Sequence, residues 1–122
     1  MPQHLLIIDE DAFACLMIST GLMKLDREIA TALSLSEAEA LIHLKSFDLV
    51  IMDIQFRDGQ GIQFCTKLHE ANSRLPIIFY TDRDNLAIRA KAEEAGCVGF
   101  INKRDFESLK KCVGAIMAPG PR

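Results

Sequence analysis

The sequence predicts an α/β fold, a doubly wound parallel sheet of five strands flanked by five helices. Five short apolar runs recur along the 122 residues, and segments with helical periodicity separate them. Continuous apolar runs of this length are typical of strands that are buried on both faces of a parallel sheet. Strands that alternate with helices need crossover connections, which cover both faces of the sheet with helices.

Composition and length restrict the classes of protein that fit. Apolar residues make up 49% and charged residues 25% of the chain, the usual balance for a soluble globular domain. We expect one domain over residues 1–118 and a tail, or the start of a linker, over 119–122. A net charge of −3 argues against binding to nucleic acid or to anionic membranes. With no bilayer-length apolar stretch and no secretory signal, the expected location is the cytoplasm.

The five predicted strands are short. The first and third are uniformly apolar, the second is weaker, and the fifth contains a glycine. They cover residues 5–8, 28–32, 49–52, 77–80 and 98–101.

The first two predicted helices are marked by polar residues at their starts. The first runs from about 12 to 24, with Asp11 as a plausible N-cap. For the second, Ser36 and Glu39 have the spacing of a capping box, in which each side chain accepts from a backbone N–H near the helix start.

The remaining three helices are predicted from periodicity. The third covers residues 62–71, and the fourth covers 84–95, where Gly96 suits a left-handed stop. In the last helix, apolar residues recur at helical spacing. They are Phe106, Leu109, Val113, Ile116 and Met117.

The cysteines and histidines do not form a metal-binding pattern. No C-x-x-C pair exists, so the thiols are interpreted as core or half-buried side chains. The three histidines are also scattered along the chain, and we expect surface or strand-edge positions for them. The residues are Cys15, Cys65, Cys97, Cys112, His4, His43 and His69.

Polar side chains follow four of the five predicted strands. Asp9 and Glu10 follow the first, Asp53 the third, Thr81 the fourth and Lys103 the fifth. Sites in such sheets form where the carboxyl ends of the strands meet. Clustered carboxylates repel one another unless a cation is near, and a hard ion such as Mg²⁺ takes oxygen ligands. Lys103 and Thr81 offer an ammonium and a hydroxyl for phosphoryl oxygens.

Each of these residues also has an ordinary structural interpretation. Asp9 or Glu10 could cap a helix, Asp53 could be solvated, Thr81 could be a turn residue, and Lys103 could be a surface charge. Their joint placement at four strand ends favours a functional interpretation over coincidence.

Together these motifs resemble the receiver domains of two-component response regulators, over nearly the whole chain. The resemblance implies a flavodoxin-like sheet with strand order 2-1-3-4-5. The matching segments are the opening strand with its acidic pair, the phosphoacceptor strand, a glycine turn, the strand ending in the switch hydroxyl, and the run leading to the lysine. They are residues 5–11, 48–54, 58–61, 76–81 and 95–103.

The resemblance implies a phosphoryl acceptor and a Mg²⁺ site. Asp53 would attack a phosphodonor and form an aspartyl phosphate. Glu10, the Asp53 carboxylate and the backbone carbonyl of Gln55 would ligate Mg²⁺. Asp9 would act through water or share the metal.

It also implies a switch and its partners. Lys103 and Thr81 would bind the phosphoryl oxygens, and Phe100 would change its packing. The phosphodonor would be a histidine kinase or a phosphotransfer protein. An output domain or a downstream protein would contact the face of the fourth helix, fifth strand and fifth helix. Through the same face we expect at most a weak homodimer. The domain would be a signalling switch, an enzyme only in its own phosphorylation and dephosphorylation.

Three positions depart from the receiver pattern. Arg57 and Arg104 each stand where the family usually has proline, and Asp82 stands where a small residue follows the switch hydroxyl. Without the second proline, a cis peptide is not expected at that bond. Asp82 would add negative charge near an incoming phosphate, which Arg57, Arg83 or Arg104 could offset by pairing. We hypothesise that small-molecule phosphodonors react slowly for this reason.

Two alternatives come from other classes of protein. A pseudo-receiver would use the same fold as a phosphorylation-independent interaction module, which Asp82 and the missing prolines favour and the retained site residues disfavour. An unrelated flavodoxin-like binding protein would need a phosphate cradle rich in Gly, Ser or Thr, and the loops have none.

Overall fold

The computed structural model, which describes residues 2–118, contains a five-stranded parallel sheet. The order of its strands is β2-β1-β3-β6-β7, so the predicted order of the five long strands is confirmed. A separate two-stranded antiparallel hairpin, β4-β5, follows β3. The strands are β1 (Gln3–Ile8), β2 (Arg27–Ala32), β3 (Leu49–Met52), β4 (Gln55–Phe56), β5 (Gly59–Gln60), β6 (Ile77–Thr81) and β7 (Gly99–Asn102). The predicted tail at 119–122 lies outside the described residues.

Within residues 2–118, five helices cover the two faces of the sheet, as predicted. They are α1 (Ala12–Leu22), α2 (Leu35–Leu44), α3 (Gly61–Ala71), α4 (Leu86–Glu94) and α5 (Phe106–Ile116). None of these helices combines the length and the apolar character that crossing a membrane would require.

Alternate residues of each strand supply two separate cores, because successive side chains of a strand point to opposite faces. In β1, Leu6 and Ile8 pack with the side chains of α2, α3 and α4. Leu5 and Ile7 pack on the other face, with the side chains of α1 and α5. All four are fully buried, which explains the uniformly apolar run.

The helix caps confirm one prediction and correct another. The Asp11 side chain accepts from the Phe13 N–H at 2.9 Å and caps α1, as predicted. The predicted capping box at Ser36 is wrong, because α2 begins two residues earlier and Ser34 accepts from the Glu37 N–H at 3.0 Å. The N–H of Ser36 itself is bound by a carboxylate from the β4-β5 hairpin.

Two helix ends show what local patterns do and do not specify. α1 ends at Leu22 rather than near residue 24, because Met23 is already extended. Gly96 has a φ of +94°, the left-handed stop that was predicted after α4. A Cβ at Gly96 would also lie 2.7 Å from Nδ1 of His69.

The four thiols are free, and their positions match the interpretation as core or half-buried residues. Cys15 and Cys65 are buried, while Cys97 and Cys112 are half-buried. Burial raises the pKa of Cys15 to about 11 and that of Cys65 to about 12. Both therefore stay protonated and unreactive at neutral pH.

Candidate functional site

The strand register brings two of the predicted acids together. Ile8 of β1 pairs with Met52 of β3, so the next residues along each strand, Asp9 and Asp53, leave the sheet side by side. The Asp53 N–H donates to the Ile8 carbonyl at 3.1 Å, which continues the ladder to this point. Both carboxylates therefore start from a fixed backbone, at the carboxyl edge where sites form in parallel sheets.

Lys103 joins the two carboxylates. Its Nζ lies 2.8 Å from Oδ2 of Asp9 and 2.9 Å from Oδ2 of Asp53. The Asp9 side chain is 5% exposed, and those of Asp53 and Lys103 are 20% and 19% exposed, so the three charges are largely withdrawn from water. Burial lowers the pKa of Lys103, but the hydrogen bonds and charges of the two aspartates outweigh it and raise that pKa well above 10.5.

The other oxygen of Asp53 is held by two further donors. Oδ1 accepts from the Ile54 N–H at 2.7 Å and from the Thr81 hydroxyl at 2.6 Å. The Thr81 oxygen in turn accepts from the Arg83 N–H at 3.1 Å, and Thr81 is fully buried. The predicted switch hydroxyl thus lies directly against the predicted acceptor.

Glu10 does not join the other two acids. Its side chain is exposed, and Oε2 accepts from the Arg57 N–H at 2.6 Å. Gln55, the predicted carbonyl ligand, lies in β4, two residues before Arg57. Among residues 2–118, no three Asp, Glu, His or Cys side chains converge closely enough to hold a metal ion.

The donor set nevertheless fits Mg²⁺. Asp9, Glu10 and Asp53 bring three carboxylates, and Lys103 is the ammonium that pairs with two of them. The surplus negative charge and the all-oxygen donors are what a hard divalent cation requires. For Glu10 to join Asp9 and Asp53 on one cation, its carboxylate must move toward them, because the three side chains do not converge in this arrangement.

The predicted switch aromatic, Phe100 in β7, is covered by an arginine. The ring is half-buried, its centroid lies 6.4 Å from that of Phe79, and the Arg89 guanidinium lies 4.7 Å above it. Asp84 holds that guanidinium in a two-pronged ion pair at 2.6 and 2.9 Å. The hydrogen bond from Arg89 is the main reason that the pKa of Asp84 falls to about 2.

The unusual residues of the site loops do not pair with one another. Asp82 is exposed, and within the described residues it makes no ion pair with Arg57, Arg83 or Arg104, so the suggested offset of its charge is not formed. Arg104 instead donates through Nε to Oδ1 of Asn102 at 3.2 Å. All peptide bonds in residues 2–118 are trans.

Sequence reasoning missed two residues that support the site. The Tyr80 hydroxyl donates to the Lys103 carbonyl at 3.1 Å, which fixes the backbone of that residue. Asn102 donates to Asp84 at 3.2 Å and connects the loop after β6 with the end of β7. A tyrosine at a strand end and an asparagine before a loop are too common to indicate these contacts.

A comparison with protein families finds a model that matches most of the chain. The model described as the response regulator receiver domain matches residues 5–113. Among curated proteins, the transcriptional regulatory protein ZraR of Salmonella typhimurium is 26% identical over 115 residues, covering 93% of this chain and 26% of that protein. The chain therefore spans about a quarter of the length of that relative.

Solved structures share the fold. A two-component response regulator from Clostridium difficile has a TM-score of 0.88 at 27% identity, covering 94% of this chain and 95% of that one. A response regulator protein from Burkholderia pseudomallei, with a phosphorylated aspartic acid, a calcium ion and citrate, has a TM-score of 0.82 at 19% identity, covering 95% and 67%. The second likeness concerns the fold alone.

Proposed function

Because the chain belongs to the response regulator receiver domain family, we propose that it is a phosphorylatable receiver of a two-component system, with Asp53 as the phosphoryl acceptor. The observation that carries the proposal is the Lys103 ammonium, which lies between the Asp9 and Asp53 carboxylates. A charge fixed beside the acceptor is already in position for the phosphoryl oxygens that Asp53 would receive.

The reaction that fits this geometry is phosphoryl transfer from a phosphohistidine. An oxygen of Asp53 attacks the phosphorus, a P–O bond forms, and the P–N bond breaks with its electron pair going to the imidazole nitrogen. Lys103 then pairs with a phosphoryl oxygen. The Thr81 hydroxyl, which now donates to Asp53, would exchange that carboxylate for a phosphoryl oxygen and stay inside the pocket.

The proposed metal is Mg²⁺, held by Asp9, Glu10, Asp53 and the Gln55 carbonyl. The surplus carboxylate charge of the site supports this set, as does the presence of both a calcium ion and a phosphorylated aspartic acid in the Burkholderia protein. A bound divalent cation would neutralise charge on the acceptor and on the incoming phosphoryl group.

The proposed donor is a histidine kinase or a phosphotransfer protein that docks on α1. Phe13, Leu16 and Met17 are 67, 60 and 56% exposed on that helix, and exposed apolar clusters mark protein contacts. A groove of about 550 Å³ connects Phe13 and Met17 with Lys103, so a partner bound there would meet the acceptor pocket. The proposed readout face is α4, β7 and α5, where a weak homodimer stays a prediction.

The proposal is tested with beryllofluoride, an analogue of the aspartyl phosphate. We expect binding that requires Mg²⁺, with NMR shifts reaching Thr81 and Phe100, and no binding by Asp53→Asn. Asp26→Asn, at the opposite end of the sheet, is the control and should bind like wild type. A folded protein that fails to bind at millimolar Mg²⁺ would contradict the proposal and favour the pseudo-receiver.

Asp82→Ala should accelerate phosphorylation by small donors such as acetyl phosphate. Asp82 is exposed beside Thr81 and carries no ion pair within the described residues, so its charge opposes an incoming anion. Removal of one screened charge near the site predicts a rate increase of ~2- to 5-fold, shrinking at high salt. Asp26→Ala removes the same charge far from the site and should leave the rate unchanged. Equal rates for the two variants would refute the inhibitory role of Asp82.

A further inference from the structure

The strongest unexplained contact of the site joins Glu10 to the β4-β5 hairpin. Oε2 of Glu10 accepts from the backbone N–H of Arg57 at 2.6 Å, across 47 positions of sequence. A hydrogen bond from an amide to an ionised carboxylate is stronger than one between neutral groups. The Glu10 carboxylate is therefore held at the hairpin and away from Lys103, which binds the neighbouring Asp9.

The donor is a backbone group that proline lacks. Arg57 is the first residue of the two-residue loop between Phe56 and Gly59, which pair across the hairpin. Any residue except proline would supply this N–H, and proline is what receiver domains usually carry here. The replacement of that proline by arginine therefore adds a donor aimed at a metal ligand.

The same loop is also fixed on its other side. The carboxylate of Asp58 accepts from the N–H groups of Leu35 and Ser36 at 3.2 and 2.9 Å, at the start of α2. The hydrogen bond from Ser36 is the main reason that the pKa of Asp58 is lowered, so this carboxylate is ionised at neutral pH. The hairpin loop therefore connects Glu10 to the first turn of α2.

We propose that the Arg57 N–H competes with Mg²⁺ for Glu10, so that cation binding must first break the contact between Glu10 and the hairpin loop. This inference rests on the proposed function and concerns its regulation. In the metal-free arrangement, the Glu10 carboxylate accepts the hydrogen bond from the Arg57 N–H. With the cation bound, the Arg57 N–H loses its acceptor, and the loop keeps only its contact with α2 through Asp58. Cation affinity is lowered, and cation occupancy is coupled to α2.

The decisive comparison is between two substitutions of Arg57. Arg57→Ala and Arg57→Pro both remove the guanidinium, but only proline removes the N–H. Loss of a charge-assisted hydrogen bond that competes with the metal predicts Mg²⁺ binding ~10-fold tighter for Arg57→Pro than for Arg57→Ala. Affinities come from NMR titration with Mg²⁺ alone. Equal affinities for the two variants would overturn the inference.

Proline is compatible with this position. Phe56 lies in a strand, the conformation that a residue before proline prefers. No non-glycine residue within 2–118 has a positive φ, so Arg57 has a φ of the sign that the proline ring imposes. A second measurement needs no variant: in wild type, the Arg57 amide proton should shift upfield as Mg²⁺ displaces it from Glu10. An Arg57 amide that stays in place while Mg²⁺ binds contradicts the competition.

Glu10→Gln separates this inference from the function on which it rests. In the Glu10→Gln background, the Mg²⁺ affinities of the Arg57→Pro and Arg57→Ala proteins should become equal, a ratio of about 1. The reason is that a neutral amide binds Mg²⁺ poorly, so the residue that both groups compete for is no longer a metal ligand. If the difference persists there, Glu10 is not the shared group and the inference fails while the receiver stands. If neither wild type nor any variant binds Mg²⁺, the proposed metal site fails as well.

Discussion

Replacement of Lys103 by methionine should lower the free energy of unfolding by about 3–5 kcal/mol at pH 7, the cost of removing one partner from a buried ion pair. The methionine keeps the apolar stem but leaves Asp9 and Asp53 without their shared ammonium, which lies 2.8 and 2.9 Å from them. Chemical denaturation with and without Mg²⁺ measures the loss. Mg²⁺ should restore part of it, because the cation replaces the missing charge.

Lys24→Met is the matched control for this substitution. Lys24 is exposed after α1 and makes no ion pair within the described residues. Its replacement should change the free energy of unfolding by less than about 0.5 kcal/mol. A Lys103→Met protein as stable as this control would mean that the two carboxylates do not depend on Lys103. Lys103→Met should also lose beryllofluoride binding, which the control should keep.

The pH dependence of stability has a sign that follows from the raised pKa of Lys103. The folded state holds this proton more tightly than the unfolded state, whose lysine titrates near 10.5. The stabilisation is therefore complete below about pH 10.5 and is lost as the pH rises from there through the higher folded value. Between about pH 10.5 and 11.5, wild type should lose stability faster than Lys103→Met, which lacks this group.

Gly61→Ala should lower the free energy of unfolding by about 2–3 kcal/mol, because overpacking forces the backbone to move. Gly61 is buried as the first residue of α3, and its N–H donates to the Ile54 carbonyl at 2.5 Å. A Cβ there would overlap the Asp53 carbonyl oxygen and lie 3.0 Å from Cα of Ile54. Both neighbours are backbone atoms, so the acceptor loop must shift, and beryllofluoride affinity should fall by ~10-fold or more.

Gly114→Ala is the control for adding a methyl group at a helical glycine. A Cβ at Gly114, inside α5, meets nothing within 4 Å. This substitution should raise the free energy of unfolding by about 0.5–1 kcal/mol, because alanine loses less backbone entropy in a helix. Opposite signs for the two variants would identify close packing against Asp53 and Ile54 as the cause. If Gly61→Ala stabilises the protein as Gly114→Ala does, the acceptor loop is not rigid.

The fold could be predicted because its determinants are local. The apolar runs at β1, β3 and β6 and the periodicity of α5 are each visible within about ten residues, and the alternation of strands and helices restricts the topology to a few arrangements. The hairpin β4-β5 was missed because its strands have two residues each, too few for an alternating pattern. The start of α2 was misplaced because both Ser34 and Ser36 precede an acid at capping-box spacing.

For the candidate site too, the sequence predicts some features and not others. The parallel order of the strands places four site residues at one edge of the sheet, and the register brings them together. They are Asp9, Asp53, Thr81 and Lys103. Their hydrogen bonds do not follow from sequence. Whether Thr81 contacts Asp53, or stays apart from it, depends on rotamers and on loop geometry that no local pattern encodes.

The run Asp9-Glu10-Asp11 shows which features the sequence determines and which depend on the tertiary structure. The sequence by itself determines that three acids follow a buried strand and precede a helix. Only the tertiary structure decides that Asp9 binds Lys103, Glu10 accepts from the hairpin, and Asp11 caps α1. The physical reason is that the cap is formed two residues away, while the other two partners come from loops 47 or more positions along the chain, and their approach depends on the packing of the whole sheet.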